Sequence, residues 1–315
     1  MTNDFGDQAL KNTETPPNVA KGAPNATKGD GGDSRLFFMS MGSGSSGNAC
    51  YIGNASVGFV IDAGVKPEVI EAALRNVGIP MSRVKGVLLT HDHSDHVRHA
   101  YGLLRKNKHI RLFCTMRTLN GILRRHNISK RIKEYHYPIF KETPFSIGEM
   151  RITAFEVPHD GTDNAGFFIE YGGSRFVVAT DLGEVAGRAR HYIEQANYLV
   201  IEANYDARML RDGPYPEYLK ARIATSHGHM DNADPARLIS EIASPELRYI
   251  FLCHLSEDNN TPEKALEAVG GALKERGFTV GDCSNSIEDR AADVSLMALP
   301  RFDASRLFVF RNPIP

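Results

Sequence analysis

The stretch Thr90-His91-Asp92-His93-Ser94-Asp95-His96 decides how this chain is read. It follows Val84–Leu89, which reads as a buried strand. Residues two apart at a strand end point to the same side, so His91 and His93 can converge. Asp95 and His96 fall where the chain turns into the next helix. Three imidazoles and a carboxylate this close suit a borderline-soft divalent ion such as Zn²⁺. Burying so many polar groups without an ion would be costly.

Working outward, three more ligand-capable residues share one feature. His159 follows the strand ending Glu156-Val157-Pro158, Asp181 follows Phe176–Thr180, and His254 follows Tyr249–Cys253. Each stands at the C-terminal end of an apolar strand, where α/β proteins tend to place their sites. With the first stretch they supply seven ligands, too many for one tetrahedral ion, so the count points to two divalent metal ions.

The rest of the chain is organised around these strands. Its 315 residues give a prior of about two domains, which one large α/β domain also satisfies. Residues 1–34 carry no apolar periodicity and read as a disordered tail, with a single domain over 35–315. Short strands are expected at Leu36–Met39, Ala49–Ile52 and Val57–Ile61. A helix is expected over Pro67–Val77, with Ile70 and Leu74 on one face and Gly78 beyond its end. Val97, Tyr101 and Leu104 mark a second helix; Met116, Leu119 and Leu123 mark a third. Further on come strands at Arg151–Val157, Phe167–Tyr171, Arg175–Thr180, Tyr198–Glu202 and Tyr249–Cys253. Gly172-Gly173 signals a hairpin. Helices are expected near 184–195, 234–243 and 262–275, and Leu307–Phe310 reads as a closing strand. The stretch from Cys283 to Pro315 shows no recognisable chemistry.

Composition narrows the class. Hydrophobic residues at 42% and charged residues at 24% are ordinary globular values, which excludes a fibrous or disordered protein. No apolar run approaches the ~20 residues needed to span a bilayer, and the N-terminus lacks signal-peptide features. The four Cys stand far apart with no C-x-x-C pair, which favours reduced thiols and a cytoplasmic protein. The net charge of −1 hides an asymmetry: Arg98 to Lys133 holds eleven Lys/Arg and no Asp/Glu, leaving 26 of the 37 basic residues against 38 acidic ones elsewhere. That run, with Arg117, Arg124 and Arg125, suits either a polyanion contact or solvated helix faces. Gly42-Ser-Gly44-Ser-Ser-Gly47 spells a dinucleotide fingerprint, but β-like residues follow it where a helix is required, so it reads as a turn between strands.

Thr90–His96 resembles the T-H-x-H-x-D-H signature of the metallo-β-lactamase superfamily, and Asp62 in Val60-Ile-Asp-Ala-Gly64 resembles that family's first motif. His159, Asp181 and His254 match its later motifs in order. Within the superfamily, SGSSGN (43–48), ATD (179–181), EANYDARMLRDGPYP (202–216), GHMDN (228–232) and CHLSEDNN (253–260) resemble the bacterial YycJ-type branch, regarded as exonucleases.

The resemblance implies an α/β fold arranged as a four-layer αββα sandwich with metals at one edge. It implies that His91, His93 and His159 bind one ion, that Asp95, His96 and His254 bind the other, and that Asp181 bridges them. Asp62 would accept a hydrogen bond that orients a ligand-bearing loop. His229 would contact the scissile phosphate and protonate the leaving oxygen. Asp95 and Asp181 also count as catalytic through the metals they hold. The expected activity is metal-dependent hydrolysis of phosphodiester bonds, with DNA digested from a 5′ end. The same ligands would also serve a small ester, thioester or lactone hydrolase, and a metal-stabilised scaffold is a third reading. Zn²⁺, Mn²⁺ and Fe²⁺ all suit the ligand set. The sequence leaves the oligomeric state open. Cys253 reads as a small buried residue.

Overall fold

Strands that are apolar on both faces must be covered on both faces, and that need organises the molecule. The computed structural model describes residues 35–185, 187–284 and 292–311. The expected tail, 1–34, lies outside the described residues.

A first sheet takes β1 (Leu36–Gly42), β2 (Ala49–Gly53), β3 (Gly58–Ile61), β4 (Val84–Leu88), β5 (Arg111–Cys114) and β6 (His136–Pro138). A second takes β7 (Phe145–Ile147), β8 (Met150–Glu156), β9 (Ala165–Tyr171), β10 (Ser174–Ala179), β11 (Tyr198–Glu202), β12 (Tyr249–Cys253), β13 (Val280–Asp282) and β14 (Val294–Ala298). The chain then returns to the first sheet with β15 (Phe308–Phe310).

The first sheet runs β15-β1-β2-β3-β4-β5-β6, antiparallel as far as β3 and parallel beyond it. The second runs β13-β14-β12-β11-β10-β9-β8-β7, parallel from β13 to β10 and antiparallel from there to β7. Parallel pairs need crossover helices, and their presence in both sheets brings several strand C-termini to one rim.

The pleat sorts side chains into layers. On β12, Phe251 and Cys253 face the other sheet while Ile250 and Leu252 face helices; β10 divides Phe176 and Val178 from Val177 and Ala179 in the same way. Phe38, Phe59, Phe167, Phe176, Phe251 and Phe308 fill the space between the sheets. Phe38 packs on Phe251 with ring centroids 4.7 Å apart and on Phe176 at 5.0 Å. Truncating such a ring to Ala costs about 3–5 kcal/mol.

Helices α1 (Pro67–Asn76), α2 (Ser94–Val97), α3 (Ala100–Lys106) and α4 (Met116–Arg125) cover the outer face of the first sheet through Ile70, Leu74, Val97, Leu103 and Ile122. After β10 come α5 (Gly187–Ile193), α6 (Ala207–Asp212), α7 (Glu217–Ile223), α8 (Ala233–Ile242) and α9 (Pro262–Glu275). Of these, α5, α8 and α9 cover the second sheet through Tyr192, Ile239, Val269 and Leu273. The result is the four-layer αββα sandwich. Local signals explain the helix starts: Thr115 and Thr261 cap α4 and α9 by accepting from the amides of Thr118 and Lys264. Among the described residues no helix is long and apolar enough to cross a membrane.

Most expected elements lie within a few residues of their places. The helix expected near 184–195 is shorter, at Gly187–Ile193. Gly172 and Gly173 both take positive φ (58° and 88°), as a type I′ hairpin turn requires. The Gly/Ser segment at 42–47 leads into β2 and not into a helix, as its rejection as a nucleotide fingerprint requires.

Candidate metal centre and cleft

The seven donors expected from the sequence come together at the rim where β3, β4, β8, β10, β11 and β12 end. His91, His93 and His159 each bring one ring nitrogen within 4.8 Å of the others. Asp95, His96 and His254 bring a carboxylate oxygen and two ring nitrogens equally close, as do His91, His96 and Asp181. Asp181 lies between the groups: its Oδ2 is 3.3 Å from His96 Nε2, and its Oδ1 is 3.3 Å from His254 Nδ1 and 3.9 Å from His159 Nε2.

The backbone supports this convergence at a cost. Four described non-glycine residues take positive φ, and three of them are Asp62 (61°), Asp181 (53°) and His254 (54°). Each lies just past the end of a strand, where the left-handed turn carries its side chain into the rim. Such residues cost about 1–3 kcal/mol each and persist only where their surroundings enforce them. Here the surroundings are tight. A Cβ on Gly64 would stand 1.5 Å from the Asp95 carbonyl oxygen, so the loop after β3 can lie against the ligand loop only with glycine there. The amides of Ala63 and Asn48 donate to the carbonyls of His96 and Asp95, at 2.7 and 2.8 Å.

Outer hydrogen bonds fix the imidazoles. His96 Nδ1 donates to Asp62 Oδ2 at 2.7 Å, and Asp62 also accepts from the Thr90 amide and hydroxyl, so one buried carboxylate ties the strand end to the ligand helix. His159 Nδ1 donates to the Gly228 carbonyl at 2.9 Å. Both arrangements turn Nε2 toward the cluster, where it meets Asp181 in His96 and His93 in His159. Asn204 holds the next segment by donating to the His254 carbonyl at 2.7 Å, and the His254 amide donates to Ser43 Oγ at 2.9 Å. The Gly/Ser turn is thereby joined to the site.

His229 stands beside the donors, its ring centroid 5.2 Å from that of His254 and 5.0 Å from that of His159. Sequence reasoning missed its partner. Glu202 is fully buried, and its Oε1 accepts from His229 Nδ1 at 2.7 Å and from His254 Nδ1 at 2.9 Å. Its Oε2 accepts from the amides of Leu182 and Met230, both at 3.2 Å. A signal was present, because Glu202 ends an apolar strand just as Asp181 and His254 follow one. Asp160 was missed too; its Oδ1 is 3.2 Å from His93 Nε2 and its Oδ2 accepts from Arg222 at 2.6 Å.

Charge sets the protonation. Burial opposes charge on His96, but Asp181, Asp62 and Asp95 overcome it and hold the group well above the usual imidazole range. His254 is pushed up to about 10 against burial, chiefly by Asp181 and by its bonds to Asp95 and Glu202. Burial, with the charge of His96, pushes His91 well below. Asp181 is buried, yet His254 and His96 hold it well below the carboxylate range. Burial works against charge on His229 as well; Glu202 outweighs it and raises the group.

The donor set fits divalent cations. Buried carboxylates and imidazoles crowd one rim, and His91 Nε2 is buried there with no hydrogen-bond partner, as a lone pair reserved for an ion would be. A cleft of about 260 Å³ opens over the cluster, lined by His93, Asp95, Asp181, His229 and His254 and also by Tyr215, Leu219 and Arg222.

Arg117, Arg124 and Arg125 stand on α4, away from that lining. Arg117 donates to the Thr162 carbonyl at 3.3 Å and Arg125 lies 3.5 Å from the buried Asp92 carboxylate, while Arg124 is exposed. Cys253 is buried, as its reading as a small core residue requires.

Comparison with known proteins agrees with this geometry. Residues 58–254 match the family described as "Beta-lactamase superfamily domain". The exodeoxyribonuclease YycJ of Bacillus anthracis is 32% identical over 253 residues, which cover 78% of this chain and 92% of the relative. The exodeoxyribonuclease WalJ of Streptococcus pneumoniae is 29% identical over 244 residues, 78% of this chain and 90% of the relative. The Zn²⁺-bound PqqB of Methylobacterium extorquens shares the fold, with a TM-score of 0.61 at 15% identity over 86% of this chain and 99% of that one. The strand-end donor set, the αββα layers and the family match lead to one conclusion: the chain belongs to the metallo-β-lactamase-fold hydrolase superfamily.

Proposed function

We propose that this chain is a dinuclear-metal phosphodiesterase that removes nucleotides from a DNA end, in the 5′ to 3′ direction that the YycJ-type resemblance implies. His91, His93 and His159 would hold one ion and Asp95, His96 and His254 the other, with Asp181 between them and Zn²⁺ the best match to the imidazole-rich set. Bound divalent ions polarise phosphoryl oxygens and lower the pKa of water, so hydrolysis needs no protein nucleophile. Residues 35–315 would act as one domain, and the free cysteines suit a reducing cytoplasm.

The observation that carries the phosphodiester reading is the Glu202–His229 pair. Glu202 Oε1 accepts a hydrogen bond from His229 Nδ1, which orients the ring and leaves Nε2 on the cleft side. It also favours the protonated imidazole, so Nε2 can supply the proton that a leaving oxygen needs. Asp62 keeps Thr90 and His96 in register and takes no part in bond breaking. The exposed Arg124 would serve as an outer contact for phosphates beyond the cleft, whereas Arg117 and Arg125, expected as phosphate contacts as well, hold the loops at Thr162 and Asp92.

The test offers end-labelled double-stranded DNA, single-stranded DNA, RNA and a thioester panel to protein of measured metal content. Metal-dependent loss of labelled DNA that disappears in Asp181→Ala supports the reading. Thioester turnover with intact DNA would overturn it in favour of a small-ester hydrolase. His229→Ala should slow cleavage while metal content stays near normal.

A further inference from the structure

The donor set leaves one wall of the cleft unexplained. α7 gives it Leu219, Arg222 and Ile223, and Tyr215 precedes that helix. No residue of α7 is buried, so this helix adds little to the core. Tyr218 is 77% exposed, the barest large hydrophobic side chain among the described residues. Tyr218 and Arg222 are four residues apart, which puts them on one helix face about one turn from each other. A guanidinium that lines a phosphodiesterase cleft, with a bare aromatic ring one helical turn away, supplies the parts that grip a single nucleic-acid strand: one takes a phosphate, the other stacks on a base.

The charges nearby leave Arg222 available. Arg222 reaches Asp160 Oδ2 through Nε at 2.8 Å and Nη2 at 2.6 Å, yet the guanidinium is 60% exposed, so a substrate phosphate has access to it and can take the place of the carboxylate. The acidic residues of the same segment also have basic neighbours, Lys220 beside Glu217 and Arg211 beside Asp212, both at 3.0 Å, which offset their charge near an incoming strand. The basic run on α3 and α4 is differently placed. Lys106 is paired with Glu71 at 2.7 Å, and Arg117 and Arg125 brace the loops at Thr162 and Asp92.

We propose that α7 is the surface that receives the substrate strand. Arg222 binds a backbone phosphate next to the reacting one, and Tyr218 stacks on an unpaired base one turn further out. This deepens the phosphodiesterase reading and rests on it. It names the substrate as an end with unpaired nucleotides, since bases inside a duplex have both faces covered by their neighbours.

The experiment reads binding apart from hydrolysis. The full-length, metal-loaded protein is titrated against a short fluorescein-labelled phosphorothioate oligothymidylate and an abasic strand of equal length, with fluorescence anisotropy as readout. Tyr218→Ala should weaken the thymidylate about tenfold and leave the abasic strand unchanged, and Tyr218→Phe should restore binding. Arg222→Ala should weaken both strands and reduce the slope of log affinity against log salt by about 0.7. Equal losses on the two strands, or none, would overturn the stacking role. Loss of metal from Arg222→Ala with an unchanged salt slope would overturn the phosphate role and leave Arg222 as a support for Asp160 and His93. Normal strand binding by a wild-type protein that cleaves no diester would count against the hydrolase reading and not against this surface.

Discussion

Replacing Glu202 with Gln tests the chemistry of the site at its least exposed point. The carboxylate accepts four bonds, two from imidazoles on Oε1 and two from main-chain amides on Oε2. Glutamine has one carbonyl oxygen, so its NH₂ must face one of these donor pairs. Two buried donors then lose their acceptor, and a charge beside His229 and His254 disappears. Breaking a buried pair in this way costs about 3–5 kcal/mol, which lowers Tm by roughly 5–10 °C in a protein of this size.

The rate profile carries the sharper test. In the proposed role His229 acts while protonated, so activity should fall as pH rises through its titration, and Glu202 raises that titration. In Glu202→Gln the alkaline limb should therefore move to lower pH. The assay is hydrolysis of bis(p-nitrophenyl) phosphate across pH, with metal content measured on the same samples; metal affinity should fall about 10–100-fold, as for other groups that orient a ligand. An alkaline limb at the wild-type pH, in protein with normal metal, would refute the account of His229.

Other outcomes follow from the same geometry. Asp62→Asn unties Thr90 from His96 and should reduce metal affinity about 10–100-fold, seen by competition with a chromogenic chelator. Gly64→Ala drives a methyl into the Asp95 carbonyl and should yield protein that is insoluble or low in metal, readable from expression and metal analysis. Without metal, and against burial, Asp181, Asp95 and Glu202 push His254 up to about 10 from the ordinary imidazole value of 6.5. The stabilisation from its charge is complete below 6.5 and is lost as pH rises through about 10, so chelator-treated protein should melt at progressively lower temperature across that window. Metal binding at neutral pH should release protons from this group, detectable as a buffer-dependent heat in calorimetry.

The sequence made the strands and donors legible because each signal is local. Burial on both faces writes continuous apolar runs such as Tyr249–Cys253, and the donor residues sit immediately beyond those runs. Glu202 escaped because it reads equally well as the last residue of a strand; only the tertiary fold shows two imidazoles pointing at it. The α6 and α7 helices escaped for the opposite reason. They bury almost nothing, so they lack the apolar periodicity that marks a helix. β13 and β14 were hidden in a stretch whose pairing partners are distant in sequence. The basic run from Arg98 to Lys133 was plain in the sequence, but its use was not, because Arg117 and Arg125 are engaged with neighbouring loops.

The left-handed turns at positions 62, 181 and 254 bear on how this protein responds to selection. Glycine or asparagine at these positions would relax the main chain, whereas the native side chains hold it tense. A library screened only for heat resistance would therefore drift toward sturdy, inert variants at these three places. Useful thermostable versions should be sought on the helical outer layers, where rigidity and turnover do not compete.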